Sequence, residues 1–416
     1  MTELLAYSTA AVTLGLVVAR PRLGLHFRLT PALAAWAGVL VMFALGLVTP
    51  AHALLAISNL WSSFVAIASI MVMTEAARRA GLLEWWASLI EARAHSTASL
   101  FFLVFSLGVL TSALFNNDAA ILLLTPVIVH LVRRRYPGRP ELLAPFAFAV
   151  FMSAGVAPLP VSNPMNMVVA SYLQVPFADY VLAMLPIAAV GWVIAFGVLR
   201  LLYARTLEAP WNPEPPRPVR AGPLQHQLMI LLLAVLVSYP LLGALGWPVW
   251  RVALLGALGA LALLHHHRRR APLSLIVEGI SFDTLAFLMA VLVMSLGLRD
   301  AGLVGRLSAL YEGAGPGIVG LSSALGSAVL NNHPMSYLNM MALSATGQPP
   351  AAQVFAALVG GDLGPRLLPM GSLAGLLWLE MLRRESVKVG VGRFVGVGAA
   401  VGIPTIAVSL FLLALP

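Results

Sequence analysis

The chain has 416 residues, of which 60% are hydrophobic and only 10% are charged, and it contains no cysteine. Soluble domains carry charged residues at about a quarter of their positions, so this composition, with a mean hydropathy of +0.92, excludes a soluble enzyme. The formal charge of +9 comes from short arginine clusters between apolar segments, which indicates membrane orientation rather than binding of nucleic acid. Without cysteine, disulfides and thiolate metal sites are excluded as well.

Apolar segments long enough to cross a bilayer, about 18–20 residues each, recur from one end of the chain to the other. The positive-inside rule places the arginine clusters between them in the cytoplasm. Counting crossings on that basis predicts an all-α polytopic membrane protein with about ten transmembrane helices and both termini in the periplasm. The first segment lacks a basic region and a small-residue cleavage site, so we expect a retained helix rather than a signal peptide.

The predicted helices divide into two halves. The first half covers residues 1–204 and the second covers residues 227–416. Residues 205–226 between them are polar and rich in proline. Such a segment buries too little apolar surface to order itself. It is predicted to be a cytoplasmic linker.

Each half contains two apolar stretches that we do not expect to be simple crossings. Residues 98–132 lie between two cytoplasmic arginine clusters, which predicts a re-entrant hairpin entering from the inside. Residues 316–346 are predicted to form the equivalent hairpin from the outside. Residues 142–173 and 351–382 are each interrupted by proline and glycine, so each is predicted to be a broken helix whose bare backbone lines a protein-covered cavity.

The two halves also resemble each other. The stretch "SALFNNDAAILLLTPV" (112–127) is matched 215 residues later by "SAVLNNHPMSYLNMMA" (327–342), and residues 61–89 align with residues 282–310. Because the first hairpin enters from the cytoplasm and the second from outside, the copies are predicted to be inverted in topology. Inverted repeats with hairpins and broken helices are the plan of many secondary transporters.

Polar side chains concentrate at the predicted hairpin tips and helix breaks. A single asparagine in a membrane helix usually makes an interhelical hydrogen bond worth about 1 kcal/mol or less, but two matched pairs at two tips indicate a binding site. The predicted substrate-binding residues are Asn116, Asn117, Asn163, Asn166, Asn331, Asn332 and Ser372.

Four ionisable residues share these positions. Asp118 lies at the first tip, where a carboxylate within the membrane is a functional candidate, and we assign it to proton coupling. Its repeat counterpart, His333, also titrates near neutral pH, and it serves either in proton coupling or in packing. Asp362 and Arg366 flank the second helix break, either as a structural pair that neutralises itself or as part of the site.

An enzyme is the alternative from another class. An intramembrane hydrolase could use Ser112, Ser162, Ser327 or Ser372 as nucleophile with His333 as base. No G-x-S-x-G elbow or His-Glu zinc motif accompanies these residues, and no G-x-x-x-x-G-K-[ST] loop for ATP is present. We therefore expect a transporter that is not an enzyme, without cofactor or metal.

Four stretches resemble the signature regions of bacterial arsenite/antimonite efflux permeases, the ArsB type of the ion transporter superfamily. They are "SALFNNDAAILLLTPVIVHLV", "VSNPMNMVVASYLQVPFADY", "AVLNNHPMSYLNMMAL" and "LVGGDLGPRLLPMGSLAGLLWLEMLRR". The resemblance implies export of arsenite or antimonite across the inner membrane in exchange for protons, with a cytoplasmic ATPase subunit as a partner that the sequence leaves open. His333 departs from the apolar residue expected of the family.

The chemistry of the substrate agrees with this resemblance. Arsenous acid is neutral and carries three hydroxyl groups, each both donor and acceptor, and carboxamides offer both functions on one rigid group. Without cysteine the chain cannot trap the metalloid through sulfur. A sodium/proton antiporter or another carrier of the superfamily is the alternative, because Asp118 and free backbone carbonyls also suit sodium.

Overall fold

The computed structural model describes residues 2–23, 27–211, 220–268, 272–345 and 347–415. These residues are overwhelmingly helical, and the predicted all-α fold is confirmed. A short antiparallel ladder pairs β1 (Arg22–Leu23) with β2 (Phe27–Arg28). Of the predicted linker 205–226, residues 212–219 lie outside the described part of the chain.

The helices of the first half of the chain are α1 (Thr2–Ala19), α2 (Pro31–Ala44), α3 (Pro50–Asn59), α4 (Trp61–Arg79), α5 (Leu82–Arg93), α6 (Thr97–Leu114), α7 (Asn117–Arg135), α8 (Leu143–Ser153), α9 (Pro164–Tyr172) and α10 (Phe177–Leu202). Those of the second half are α11 (Pro223–Gly243), α12 (Val249–Arg268), α13 (Pro272–Gly279), α14 (Phe282–Asp300), α15 (Leu303–Tyr311), α16 (Pro316–Leu330), α17 (Asn332–Ser344), α18 (Ala351–Leu363), α19 (Leu373–Arg384) and α20 (Val391–Leu413). Short 3₁₀ turns lie at Pro140–Leu142, Pro160–Ser162, Thr206–Glu208, Gly364–Arg366 and Pro369–Gly371.

Seven helices of the described residues are long and apolar enough to cross a membrane, and α3 and α4, bent by 58° at their junction, bring the number to eight. The seven are α1, α6, α10, α11, α12, α14 and α20. The prediction of about ten also counts the shorter α2 and the two broken segments α8–α9 and α18–α19, and it treats α6 as one arm of a hairpin. The helix number therefore agrees roughly with the prediction.

The helices recur in the same order in both halves. Helices α4 and α14 each have 19 residues and begin 221 positions apart. Each is followed by a glycine with positive φ, 72° at Gly81 and 86° at Gly302, a left-handed conformation that glycine adopts without a Cβ clash. The 3₁₀ turns Pro160–Ser162 and Pro369–Gly371 precede α9 and α19 at an offset of 209. Backbone conformation thus repeats along with sequence.

Helices of each half pack against helices of the other half. Helix α2 contacts α14 while α12 contacts α4, and α17 contacts α9 while α19 contacts α7. These contacts are reciprocal, since each pair has a counterpart with the halves exchanged. Side chains near the two helix breaks are therefore positioned by both halves together.

Small residues bring α16 and α18 into close contact. A Cβ atom on Gly360 would lie 2.3 Å from the Gly320 carbonyl oxygen, and one on Gly364 would lie 2.2 Å from that of Ala324. Close backbone approach through small residues is a common way for helices to pack in membranes. It holds the last turn of α18, which carries Asp362, in a defined place.

Candidate functional site

At both predicted hairpin tips an asparagine caps the start of a helix. Asn116 precedes α7, and its Oδ1 accepts a hydrogen bond of 2.6 Å from the Ala119 N–H. Asn331 precedes α17, and its Oδ1 accepts one of 3.2 Å from the His333 N–H. Asparagine is a preferred residue at this position because its side chain caps the free amides of the first turn. Both oxygens, predicted to face substrate, are engaged in capping.

The second asparagine of each pair keeps an open acceptor. The Asn117 Nδ2 donates to the Gly155 carbonyl at 3.3 Å, but its Oδ1 has no hydrogen-bond partner among the described residues. The Asn332 Oδ1 is also buried and lacks a partner in the described part of the chain. Because buried polar atoms are nearly always hydrogen-bonded, these two oxygens are the parts of the tips best suited to a ligand.

Asp362 is enclosed by hydrogen-bond donors from the first half of the chain. Its Oδ1 accepts from Asn163 Nδ2 at 2.6 Å, and its Oδ2 accepts from Asn166 Nδ2 and the Ala157 N–H, both at 2.9 Å. The side chain is only 3% exposed. All three neighbours donate, which suits an ionised carboxylate because that group only accepts. Asn163 and Asn166, predicted substrate ligands, here hold Asp362.

Tyr180 of α10 completes this cluster. Its hydroxyl oxygen accepts from Asn166 Nδ2 at 2.8 Å and donates to the Ala157 carbonyl at 3.1 Å. Sequence reasoning missed Tyr180 because a tyrosine near the end of an apolar helix is ordinary at a membrane interface. The Asn163 Oδ1, in turn, accepts from the Met165 N–H at 3.0 Å and caps α9.

Arg366 lies 5% exposed beside this cluster. Its Nη1 donates to the Phe151 carbonyl at 2.6 Å, and the guanidinium carbon is 4.6 Å from the centre of the Phe151 ring. Its Nε has no hydrogen-bond partner among the described residues. Asp362 and Arg366 interact as charges, but the described ion pairs do not include a direct contact between them. The two residues proposed as a pair are thus neighbours without a salt bridge.

Asp118 differs from Asp362 in its surroundings. It lies in the first turn of α7, is half-buried, and makes no hydrogen bond or ion pair within the described part of the chain. Arg366 is its charged neighbour, and Asp362 is the larger charge partner of that arginine. The amino end of a helix also favours a negative charge. Asp118 is therefore the carboxylate of this region that is free to meet a ligand.

His333 is 2% exposed and packs edge-on against Phe287, with ring centres 5.8 Å apart. Its Nδ1 lies 3.0 Å from the Asn331 Oδ1. Because that oxygen only accepts, Nδ1 carries the hydrogen, and the buried Nε2 is left without a described partner. A cavity of about 410 Å³ between α1 and α14 reaches this tip at Asn331 and Pro334.

Three of the four candidate serines, Ser112, Ser162 and Ser372, bond to backbone, and the buried Ser327 Oγ has no described hydrogen-bond partner. Ser372 caps α19 by accepting from the Gly375 N–H at 2.9 Å, and Ser162 donates to the Ala113 carbonyl at 3.1 Å. Among the described residues, His333 makes no hydrogen bond with any serine, so the geometry of a nucleophile and base required for hydrolysis is not formed.

The chain is similar to known membrane transporters. The sequence model of a family described as citrate transporter matches residues 15–360, well over half of the chain. The chain belongs to the citrate transporter family. Membership makes it a membrane transporter, as predicted, rather than an enzyme.

Its relatives include several proteins named for arsenic. The chain is 28% identical to an arsenical pump membrane protein of Escherichia coli over 99% of its own length and 98% of that protein. It is 28% identical to the one of Yersinia enterocolitica over the same shares. A putative arsenical pump membrane protein of Bacillus subtilis is 25% identical over 80% of this chain and 82% of that one. The resemblance to arsenite permeases is confirmed.

A solved structure shares the fold. The YdaH transporter of Alcanivorax borkumensis superposes with a TM-score of 0.56 at 16% sequence identity, covering 99% of this chain and 97% of that one. At this identity the likeness concerns the fold alone, and it supports the helical transporter architecture.

Proposed function

We propose that this transporter exports arsenite and antimonite across the inner membrane in exchange for protons. The observation that carries the substrate assignment is the similarity over 99% of the chain to an arsenical pump membrane protein. The site supports it, because it offers open carboxamide oxygens and one free carboxylate to a small neutral molecule with three hydroxyl groups.

The proposed ligands are the open acceptors. Asn117 and Asn332 each have a buried oxygen without a partner among the described residues, and the Asp118 carboxylate accepts no hydrogen bond from them. Each can accept from one hydroxyl of arsenous acid. Asn116 and Asn331 cap the helices at the two tips. His333 is proposed to be neutral and to position Asn331 at the second tip through its Nδ1 hydrogen bond. Ser372 orders the second break. Citrate, the family's namesake, is less well served because a trianion would be repelled by the carboxylates.

A common site requires the tips to converge. The first tip is tied to the first break through Asn117 and Gly155, and the second to the second break through Asn331 and the Met370 carbonyl at 3.3 Å. The two breaks are joined by Asp362. This continuous path supports two inverted repeats with α6–α7 and α16–α17 as re-entrant hairpins. The proposal that both termini lie in the periplasm rests on the positive-inside rule.

Proton exchange supplies the driving force. A neutral solute gains nothing from the membrane potential, whereas each entering proton contributes about 2.3 kcal/mol per 100 mV. Asp118 is the proposed carrier, because it is the site carboxylate without donors that would hold its charge. Arsenous acid and the proton would compete for it, so binding of one favours release of the other.

The test uses everted membrane vesicles without ATP, which separates proton exchange from a drive by an ATPase subunit. Vesicles acidified inside should accumulate arsenite or antimonite and lose them when an uncoupler is added. Accumulation that persists after the uncoupler is added would refute the coupling to protons. Parallel vesicles with an inward-directed sodium gradient or with labelled citrate test the competing substrates. If sodium or citrate is transported and arsenite is not, the substrate assignment is refuted.

A further inference from the structure

Three charged side chains make up the electrostatics of the candidate site. Arg366 carries one positive charge, and its charge partners are Asp362 and Asp118. Asp362 is held by three donors, whereas Asp118 is held by none in the described part of the chain. The three donors favour the ionised form of Asp362, so its charge offsets that of the arginine and the charge of Asp118 is left over.

The other ionisable groups on the surrounding helices do not alter this balance. On α7, Arg133 is fifteen residues beyond Asp118, or about 22 Å along a helix, and it pairs with Glu385 at 2.9 Å. Arg134 pairs with Glu91. His130 lies on the exposed side of the same far end.

Several charged side chains on helices α4, α19, α20 and α10 are paired, lie over an aromatic ring or are exposed. Glu75 on α4 pairs with Arg79 at 2.7 Å, and Glu380 on α19 pairs with Arg384 at 2.8 Å. Arg393 of α20 lies over Tyr203. On α10, Asp179 is exposed and the Tyr180 hydroxyl is hydrogen-bonded.

Helices α8, α9, α16 and α18 carry no other acidic or basic side chain. On α17, His333 donates from Nδ1, and its buried Nε2 has no described hydrogen-bond partner. This arrangement suits a neutral imidazole, because a buried imidazolium would leave a charged N–H without an acceptor. The Tyr337 hydroxyl is buried on the same helix and is neutral at physiological pH. The charge count at the site is thus set by Arg366, Asp362 and Asp118.

We propose that Arg366 is the fixed counter-charge of the transport site, so that it cancels Asp362 and leaves Asp118 as the one uncompensated charge. Exchange then takes one proton for each arsenite exported. An uncompensated charge is costly in the membrane interior. The site must therefore hold either one proton or a substrate that shields Asp118 before it can switch from facing one side of the membrane to facing the other. This inference rests on the proposed function. It adds the number of protons exchanged for each arsenite and names Arg366 as the residue that sets this number.

The number of protons exchanged for each arsenite can be measured from the balance point, which is the arsenite concentration ratio at which net flux stops. The full chain is reconstituted in liposomes clamped at zero potential with valinomycin and equal potassium, and a pH difference of one unit is imposed. Exchange of one proton should stop net arsenite flux at a concentration ratio of about tenfold, and exchange of two at about a hundredfold. The balance point depends on neither the rate of transport nor the orientation of the protein.

A hundredfold ratio overturns the inference while the proposed function stands. If arsenite does not move, or if the arsenite ratio at zero net flux does not depend on the pH difference, the proposed function is overturned and the inference with it. A tenfold ratio supports both.

Substitutions at Arg366 assign the role to this residue. Arg366→Lys keeps the charge and should keep the tenfold balance. Arg366→Gln leaves two uncompensated carboxylates and should move the balance to about a hundredfold, whereas the double variant Arg366→Gln with Asp362→Asn should return it to tenfold. A tenfold balance in Arg366→Gln alone would overturn the role of Arg366. If Arg366→Gln does not fold, the wild-type ratio still decides the stoichiometry.

Discussion

Replacing Asp362 by alanine should destabilise the whole protein, not only its transport. The carboxylate joins residues 196–205 positions apart by accepting from Asn163 Nδ2, Asn166 Nδ2 and the Ala157 N–H at 2.6–2.9 Å. It is 3% exposed, so water cannot easily replace it. Asp362→Ala would leave three buried donors without their acceptor.

The magnitude follows from the number of donors. Leaving one buried donor unsatisfied costs about 1–3 kcal/mol, so three give about 3–9 kcal/mol. Hydrogen bonds measured between helices in membranes average about 0.6 kcal/mol, which lowers the total to about 2 kcal/mol. The lower figure is the safer expectation because helices in a bilayer find other partners. It corresponds to a fall in the melting temperature of about 4 °C, using about 2 °C per kcal/mol for a large chain.

Thermal unfolding of the purified protein in detergent, followed by tryptophan fluorescence, measures this effect. Asp362→Asn keeps one acceptor oxygen and should fall between wild type and Asp362→Ala. Asp118→Asn makes the same change at a carboxylate that has no hydrogen bond to any described residue, so it is the matched control. It should melt within about 1 °C of wild type, as substitutions that break no such contact do. Equal melting of Asp362→Ala and wild type would refute the role of Asp362 in joining the halves.

Asp118→Asn should still bind arsenite but lose efflux driven by a pH gradient, because the amide cannot carry the proton; wild-type pH dependence in everted vesicles would assign the proton to another residue. Gly360→Ala should lower thermal stability by about 1–3 kcal/mol, the usual cost of overpacking, because its Cβ would lie 2.3 Å from a backbone oxygen of α16. Gly197→Ala, with open space around it, is the control, and equal melting of the two would contradict the packing described. The chain has no cysteine of its own, so single cysteines can report the topology. Thr2→Cys, on the proposed periplasmic side, should react with an impermeant maleimide in spheroplasts, and Ser386→Cys, on the proposed cytoplasmic side, should not. The reverse labelling would mean that the proposed topology is inverted.

Much of the architecture can be predicted from the sequence because it depends on local physics. Apolar segments long enough to span a bilayer must form helices there, since only a helix satisfies its own backbone in lipid. Both tips can be located for a similar reason. Asparagine at a helix start caps the free amides, and this is how Asn116 and Asn331 are used. The matched glycines, Gly81 and Gly302, mark turns whose positive φ glycine adopts readily.

The partners of the polar side chains were decided only by the tertiary structure. Asn163 and Asn166 are equally suited to a substrate hydroxyl and to a carboxylate, and the sequence does not say which will be near. The packing of the two halves brings Asp362 to them across 199 and 196 residues, and it places Arg366 on the Phe151 carbonyl instead of on Asp362. The same packing places no donor from the described residues against Asp118. A side chain's chemistry is set by its type, but its partner is set by which helices meet, and reciprocal packing of two distant halves has no local signal.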